Sequence, residues 1–281
     1  MKLLLLKHQV PMIKVFSKLF MSTIKKNKKK QNTDIKTVKT NIWPEKELIE
    51  AFHQWNGVGN KYSSTIAPHF FPQWSFPSLF EILKQTNFPL FKIMNQGCKL
   101  TVLSSIAQDH ELVIKAQLEN IEHEETKIRI NQQVSISQNN QPLIDALIYS
   151  VIPIKKNLKK NEIKLDENYE QAFEINFNQK MIREFGLISG DLNPIHMSSF
   201  MARMLGHKCS LAHGFSILSK VFELYETEYS KIKEIDIKFL RPLYLPNTVS
   251  LFIYPKKDLK QKFIVVSMDK KKIHAAGSVL S

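Results

Sequence analysis

The chain has 281 residues, of which 43% are hydrophobic, and this length can hold one large or two small domains with their own cores. The net charge is +14, but residues 1–33 contain nine lysines and no acidic residue, which leaves 31 basic and 26 acidic residues elsewhere. The basic residues come without an aromatic or zinc-binding pattern, so we expect no nucleic-acid binding. The sequence contains no run of about 18 apolar residues, so no transmembrane helix is predicted.

Residues 1–33 are a basic N-terminal extension in which an amphipathic stretch precedes a lysine cluster. This pattern predicts a solvated segment outside the fold. Two alternatives stay open: weak contact with a membrane surface, and mitochondrial targeting, although the segment contains no arginine. The two cysteines, Cys98 and Cys209, do not make a disulfide framework, so we expect a reducing compartment and a cytoplasmic protein.

Residues 34–155 are predicted to form a first domain. Its aromatic and proline-rich part, 41–96, is interpreted as irregular apart from a short helix through Leu79–Leu83, which Ser78 can cap. Alternating apolar and polar residues then predict an antiparallel meander. Its strands are Lys99–Ile106, Glu111–Ile121, Thr126–Ser137 and Pro142–Pro153.

A lysine-rich linker, 156–164, is predicted to lead into a second domain, 165–281, that repeats the order of elements. A long helix from His213 to Tyr229 is predicted there, because Phe215, Leu218, Phe222 and Tyr225 fall on one stripe. The predicted strands of this half are Gln171–Phe177, Lys231–Phe239, Thr248–Tyr254, Lys262–Ser267 and Ile273–Leu280.

The stretch from Ser189 to Gly214 reads SGDLNPIHMSSFMARMLGHKCSLAHG. Asn193 is a favoured N-cap and Pro194 suits the first helical position, so a helix is predicted from Pro194 to a cap at Gly206. Asp191 on the incoming loop and His196 in the first turn would then reach one water molecule as a general acid/base pair. A bare Asp-x4-His is more often a turn residue and a helix residue than a site, so the longer pattern carries the argument.

This stretch resembles the signature of the MaoC-like dehydratases, the R-specific enoyl-CoA hydratase family, which is roughly S-G-D-x-N-P-I-H, a helix, Gly, and then H-G. The matching residues are Ser189, Gly190, Asp191, Asn193, Pro194, Ile195, His196, Ala202, Gly206, His213 and Gly214. The resemblance implies an α+β fold, the double hot-dog, in which two antiparallel sheets each wrap a long helix and merge side by side. One departure is Pro246-Asn247, where the family usually has Gly-Asp.

The resemblance also implies a function: reversible hydration of a trans-2-enoyl thioester to a (3R)-3-hydroxyacyl thioester carried by CoA or acyl-carrier protein. Asp191 and His196 are implied as the acid/base pair, and Gly214 as the backbone donor to the thioester oxygen. Ser189, Asn193 and His213 would support the site, without a metal or other cofactor. We expect pKa values of the pair near their ordinary ones, and no loss of catalysis when residues 1–33 are deleted.

The first half holds no second copy of the motif, which is typical of double hot-dog members in which only one half is catalytic. The adjacent Asp109 and His110 are interpreted as solvated loop charges. The aromatic stretch from Phe70 to Phe91 fits an acyl-chain pocket, or equally a core or an interface. Two other functions stay open, a hot-dog thioesterase using Glu223 and a non-catalytic acyl-binding protein, and a homodimer is also left open.

Overall fold

A computed structural model describes residues 2–10, 12–13, 35–86, 88–155, 169–255 and 259–281. Ten of its strands form one antiparallel sheet in the order β1-β5-β6-β7-β3-β9-β12-β11-β10-β8, and β2 and β4 form a separate small pair. The strand bounds are β1 Val38–Ile42, β2 Thr65–Ile66, β3 Met94–Val102, β4 Ile106–Ala107, β5 Leu112–His123, β6 Lys127–Gln138, β7 Gln141–Pro153, β8 Glu170–Phe177, β9 Glu234–Phe239, β10 Asn247–Ile253, β11 Lys260–Ser267 and β12 Ile273–Leu280.

The large sheet consists of two halves with the same internal order. From the two outer edges, strands β1-β5-β6-β7-β3 and β8-β10-β11-β12-β9 run inward to a seam between β3 and β9. At that seam Gly97 lies opposite Lys238, and Thr101 lies opposite Glu234. The predicted α+β double hot-dog fold is therefore confirmed. The predicted linker, 156–164, lies outside the described residues.

Each half has one long helix packed on its strands. The helices are α1 Lys46–Asn56, α2 Pro72–Gln85, α3 Gln179–Ser189, α4 Pro194–Met197, α5 Ser199–Met204 and α6 Gly214–Glu228. Helix α2 contacts β1 and β5, and α6 contacts β3 and β9. The predicted stripe of α6 is confirmed, since all four of its apolar residues are buried, Phe215, Leu218, Phe222 and Tyr225.

Several local predictions differ from the structure. Residues 41–96 contain two full helices, and α2 begins at Pro72 and continues through Pro77 rather than starting at Ser78. The aromatic stretch is mainly core at its start, because Phe70, Phe71 and Trp74 are buried. The predicted helix from Pro194 to Gly206 is interrupted at Ser198, whose backbone is extended and whose side chain caps α5.

The start of the basic extension belongs to the fold. Residues Lys2–Gln9 form a 3₁₀ helix, and Leu5, Gln9 and Met12 are buried. The expectation of a solvated segment is therefore wrong for this part, because these side chains pack against α1 and α3. Residues 14–33, with most of the lysines, lie outside the described residues. Among the described helices, none is both long enough and apolar enough to cross a membrane.

Candidate active site

The loop that carries Asp191 begins where α3 ends. Gly190 closes the helix in the left-handed region, with φ 79°, and its N–H donates to the Gly186 carbonyl at 3.0 Å. The Asp191 N–H donates to the Ser189 hydroxyl at 3.3 Å, and the Asp191 carboxylate accepts from Asn193 N–H at 3.3 Å. The predicted support residue Ser189 is thus buried beneath the loop and fixes its first turn.

Asn193 starts α4 as the sequence predicts. Its side chain accepts a hydrogen bond from the Ile195 N–H at 3.3 Å, the bond expected of an N-cap. His196 follows in that single turn, and its carbonyl accepts from the Gln179 side chain at 2.9 Å. Asn193 therefore shapes the backbone that presents His196.

The imidazole of His196 has a defined orientation. Its Nδ1 lies 2.9 Å from the Leu211 carbonyl, which can only accept, so Nδ1 carries the proton in this contact. The other ring nitrogen, Nε2, is then left as an acceptor on the neutral ring. A neutral histidine with a free Nε2 lone pair is the form required of a general base.

His213 lies beside His196 and under the loop. Its Nε2 donates to the main-chain carbonyl of Asp191 at 2.9 Å, and its ring centroid is 4.0 Å from that of His196. The side chain is buried, with 1% of its surface exposed. It therefore holds the Asp191 backbone and packs against the imidazole, as a support residue does.

Asp191, His196 and His213 converge on one point. One ligand atom from each lies within 4.8 Å of the other two. Two acceptors at this separation can each take one hydrogen of the same water molecule. Carboxylate and imidazole groups also bind metal ions, although the Nε2 of His213 is engaged with the main chain.

Burial shifts the pKa values of the pair in opposite directions. It raises the pKa of Asp191, against the opposing attraction of His196, because the charged carboxylate loses hydration. It lowers the pKa of His196, against the favourable charge of Asp191 and the hydrogen bond to Leu211. The expectation of near-ordinary values is therefore wrong. Both shifts favour the uncharged forms, which for His196 is the basic form.

Gly214 is the first residue of α6. The first hydrogen bonds of α6 are donated by the N–H groups of Ser216 and Ile217, which both contact the His213 carbonyl. The Gly214 N–H lies before these donors, in the part of the helix where N–H groups have no acceptor within the helix. A Cβ at this position would lie 2.3 Å from the ring of Phe239. Glycine is therefore favoured here by the packing of Phe239, which leaves no room for a Cβ.

Part of the chain matches a known protein family. Residues 160–277 match the family described as MaoC like domain. This C-terminal part of the chain is therefore similar to MaoC-like domains. The predicted resemblance to the MaoC-like dehydratases is thus confirmed for this part of the chain.

Individual proteins are similar to this chain in sequence or in fold. The chain is 29% identical over 72 residues to 3-hydroxyacyl-thioester dehydratase X of Mycobacterium tuberculosis, an alignment that spans only 26% of each chain. The crystal structure of HtdX from the same organism superposes with a TM-score of 0.74 and 18% identity, over 87% of this chain and 99% of the other. A MaoC-like dehydratase from Phytophthora capsici gives a TM-score of 0.74 at 13% identity, over 89% and 97%.

Other polar residues of this chain do not join the site. Asp109 and His110 are exposed and bond to each other at 2.9 Å, as a solvated loop pair does. Glu223 is buried on α6, where the Lys61 ammonium binds it at 2.7 Å and the ring of His69 lies 3.2 Å away. Burial raises the pKa of Glu223, against the effect of Lys61. Glu223 is thus engaged in an internal ion-pair network and does not belong to the site.

A cavity of about 860 Å³ lies between α1, α3, α6 and the N-terminal segment. Trp55, Met181, Ile188 and Leu224 contribute apolar walls to it, and the acid/base pair does not line it. The aromatic residues from Phe70 to Phe91 do not line it either. This cavity therefore does not support the interpretation of that stretch as an acyl-chain pocket.

Sequence reasoning missed three neighbours of the site. The carbonyl of Leu211 fixes the histidine tautomer, Gln179 holds the His196 carbonyl, and Phe239 covers Gly214. Leu211 acts through its backbone, which every residue possesses, so no side-chain pattern could reveal it. Gln179 and Phe239 come from elements that only tertiary structure brings to the motif.

Proposed function

We propose that this protein is a hydro-lyase that hydrates a trans-2-enoyl thioester to the (3R)-3-hydroxyacyl thioester, and catalyses the reverse dehydration. The observation that carries the proposal is that ligand atoms of the Asp191 carboxylate and the His196 imidazole lie within 4.8 Å of each other, near enough for one water molecule to bridge them. The family match and the dehydratase named above support the same class of reaction.

The two acceptors define how a water molecule would be held. A water that donates one hydrogen to His196 Nε2 and the other to Asp191 turns its lone pairs toward a substrate on the opposite side. His196 takes one proton as the water oxygen bonds to the β-carbon, and the electron pair of the carbon–carbon double bond moves toward the thioester oxygen. The pair then delivers that proton to the α-carbon, which restores both residues.

The thioester oxygen gains negative charge during this reaction. We assign the Gly214 N–H to it, because the start of α6 offers an unpaired donor and the positive end of the helix dipole. Loss of one such donor raises a reaction barrier by about 3–4 kcal/mol. Helix α6 therefore contributes to catalysis through its backbone.

A spectrophotometric assay tests the proposal. Crotonyl-CoA and crotonyl-acyl-carrier protein are each mixed with the purified protein, and the ultraviolet absorbance of the conjugated enoyl thioester is followed. We expect the absorbance to fall with at least one carrier, and chiral analysis to give the 3R alcohol. Thioester cleavage with release of free thiol would instead indicate a thioesterase.

Gly214→Ala is expected to lower kcat at least about 10-fold, because the new methyl group collides with Phe239 and moves the N–H donor. Gly214→Ala/Phe239→Ala keeps the N–H and removes the collision, so it should recover most of that loss relative to Phe239→Ala alone. Steady-state kinetics of the four proteins gives the coupling. Equal losses from Gly214→Ala in both backgrounds would contradict a steric cause.

The rate is expected to depend on pH through the acceptor pair. Protonation of His196 or Asp191 removes an acceptor, so kcat/KM should fall with decreasing pH and reach a plateau toward alkaline pH. Since burial raises the pKa of Asp191, the fall should lie above about 3.9, the ordinary aspartate value. Circular dichroism at each pH separates this effect from unfolding. A rate that rises on acidification would contradict the mechanism.

A further inference from the structure

The N-terminal segment contacts the catalytic half through one buried polar side chain. Gln9 is 1% exposed, and its amide nitrogen donates to the carbonyls of Leu187 and Ile188, both at 3.0 Å. These carbonyls belong to the last turn of α3, where backbone acceptors have no partner within the helix. Gln9 therefore caps the helix from a sequence distance of about 180 residues.

The contact lies directly beside the catalytic loop. A Cβ at Gly190 would lie 2.5 Å from the side-chain oxygen of Gln9 and 3.0 Å from Cγ of Met12. Asp191 is the next residue after Gly190. The backbone that carries the Asp191 side chain is thus contacted by the N-terminal segment on one side and by His213 on the other.

The first half of the fold uses the same arrangement without a catalytic loop. Helix α1 also ends at a left-handed glycine, Gly57, with φ 78°. The ammonium of Lys220 donates to the last carbonyls of that helix, 2.8 Å to Trp55 and 3.3 Å to Asn56. In each half the corresponding helix, α1 or α3, is therefore capped at its C-terminus by a side-chain donor from a distant part of the chain. In the catalytic half that donor is Gln9.

We propose that Gln9 is a positioning residue for catalysis, which acts through α3 and Gly190 to hold Asp191 at the distance from His196 that one water molecule bridges. This inference rests on the proposed function. It replaces the expectation that deletion of residues 1–33 leaves catalysis intact. The ion pair between Lys7 and Glu47, at 3.0 Å, is a weaker attachment of the segment, since both side chains are 55% exposed.

Two substitutions separate hydrogen bonding from packing. Gln9→Met keeps the volume and removes both donors, so kcat for enoyl-thioester hydration should fall about 10-fold while KM changes less than about 2-fold. Gln9→Lys supplies a donor of the kind that Lys220 provides at α1, and it should recover most of kcat. Lys7→Ala is the matched control on the same segment, and its kcat should equal that of the wild type.

A second measurement does not depend on activity. Hydrogen–deuterium exchange of peptides covering 186–193 should be faster in Gln9→Met than in the wild type, whereas peptides from α2 should be unchanged. If Gln9→Met does not fold, Gln9→Asn, which is one methylene too short to reach both carbonyls, takes its place with the same expectations.

The outcomes distinguish the two proposals. Wild-type protein without hydratase activity removes the proposed function, and unchanged exchange at 186–193 then also removes the positioning role. An active wild type with a folded Gln9→Met or Gln9→Asn variant of unchanged kcat overturns the inference about Gln9 alone. A loss of kcat that Gln9→Lys does not restore contradicts the capping mechanism.

Discussion

Asp191→Asn and His196→Asn should each lower kcat for crotonyl-thioester hydration by about 10²-fold or more, with little change in the thermal melting temperature. Both variants remove a proton acceptor from the pair, and a positioned acid/base group contributes about 10²–10⁴-fold. Asparagine suits position 196 because its side-chain amide can still donate toward the Leu211 carbonyl, which the imidazole Nδ1 contacts at 2.9 Å. The loss then reports the missing Nε2 rather than a displaced backbone.

The other half of the chain provides a matched control. Asp109 and His110 are also a carboxylate and an imidazole in contact, at 2.9 Å, but both are exposed. Asp109→Asn and His110→Asn should therefore leave kcat and KM unchanged. Near-full activity in either site variant would remove that residue from the mechanism, and parallel losses in the control variants would show that the assay reports general damage.

The sequence could predict the site because its key residues are local. Asp191, Asn193 and His196 lie within six consecutive positions, so the cap of one short helix sets their arrangement. The buried stripe on α6 could also be predicted, because the spacing of its apolar residues matches the turn of a helix. What the sequence could not provide were contacts between distant segments, such as Phe239 over Gly214 and Gln9 on α3.

The errors in the first half have a common physical cause. Proline and aromatic residues between 41 and 96 were interpreted as irregular structure, yet Pro72 lies in the first turn of α2, where its missing N–H costs nothing. The buried rings of Phe70 and Trp74 pack edge to face at 5.5 Å, and such packing outweighs weak local propensity. The charge of the N-terminal segment predicts a solvated extension, whereas its contribution to the fold comes from a few apolar and amide side chains.

The two halves of the sheet depend on each other, and separating them should have a large effect. Residues 165–281 expressed alone should be insoluble or inactive, because β9 loses β3 and becomes an open edge. Glu223 would also lose the Lys61 ammonium, its partner at 2.7 Å in the intact chain. Co-expression with residues 1–155 should recover soluble, active protein if the two halves can associate through these contacts.

A pair of glycine variants tests the seam in the intact chain. Gly97 and Gly206 both have positive φ, 138° and 86°, so alanine is strained at each. At Gly97 the added Cβ would lie 2.0 Å from the Ile237 carbonyl of β9, whereas at Gly206 nothing lies within 4 Å. Gly97→Ala should therefore lower the free energy of unfolding and the soluble yield far more than Gly206→Ala. Similar stabilities of the two variants, or a soluble and fully active fragment 165–281, would show that the catalytic half does not need its partner.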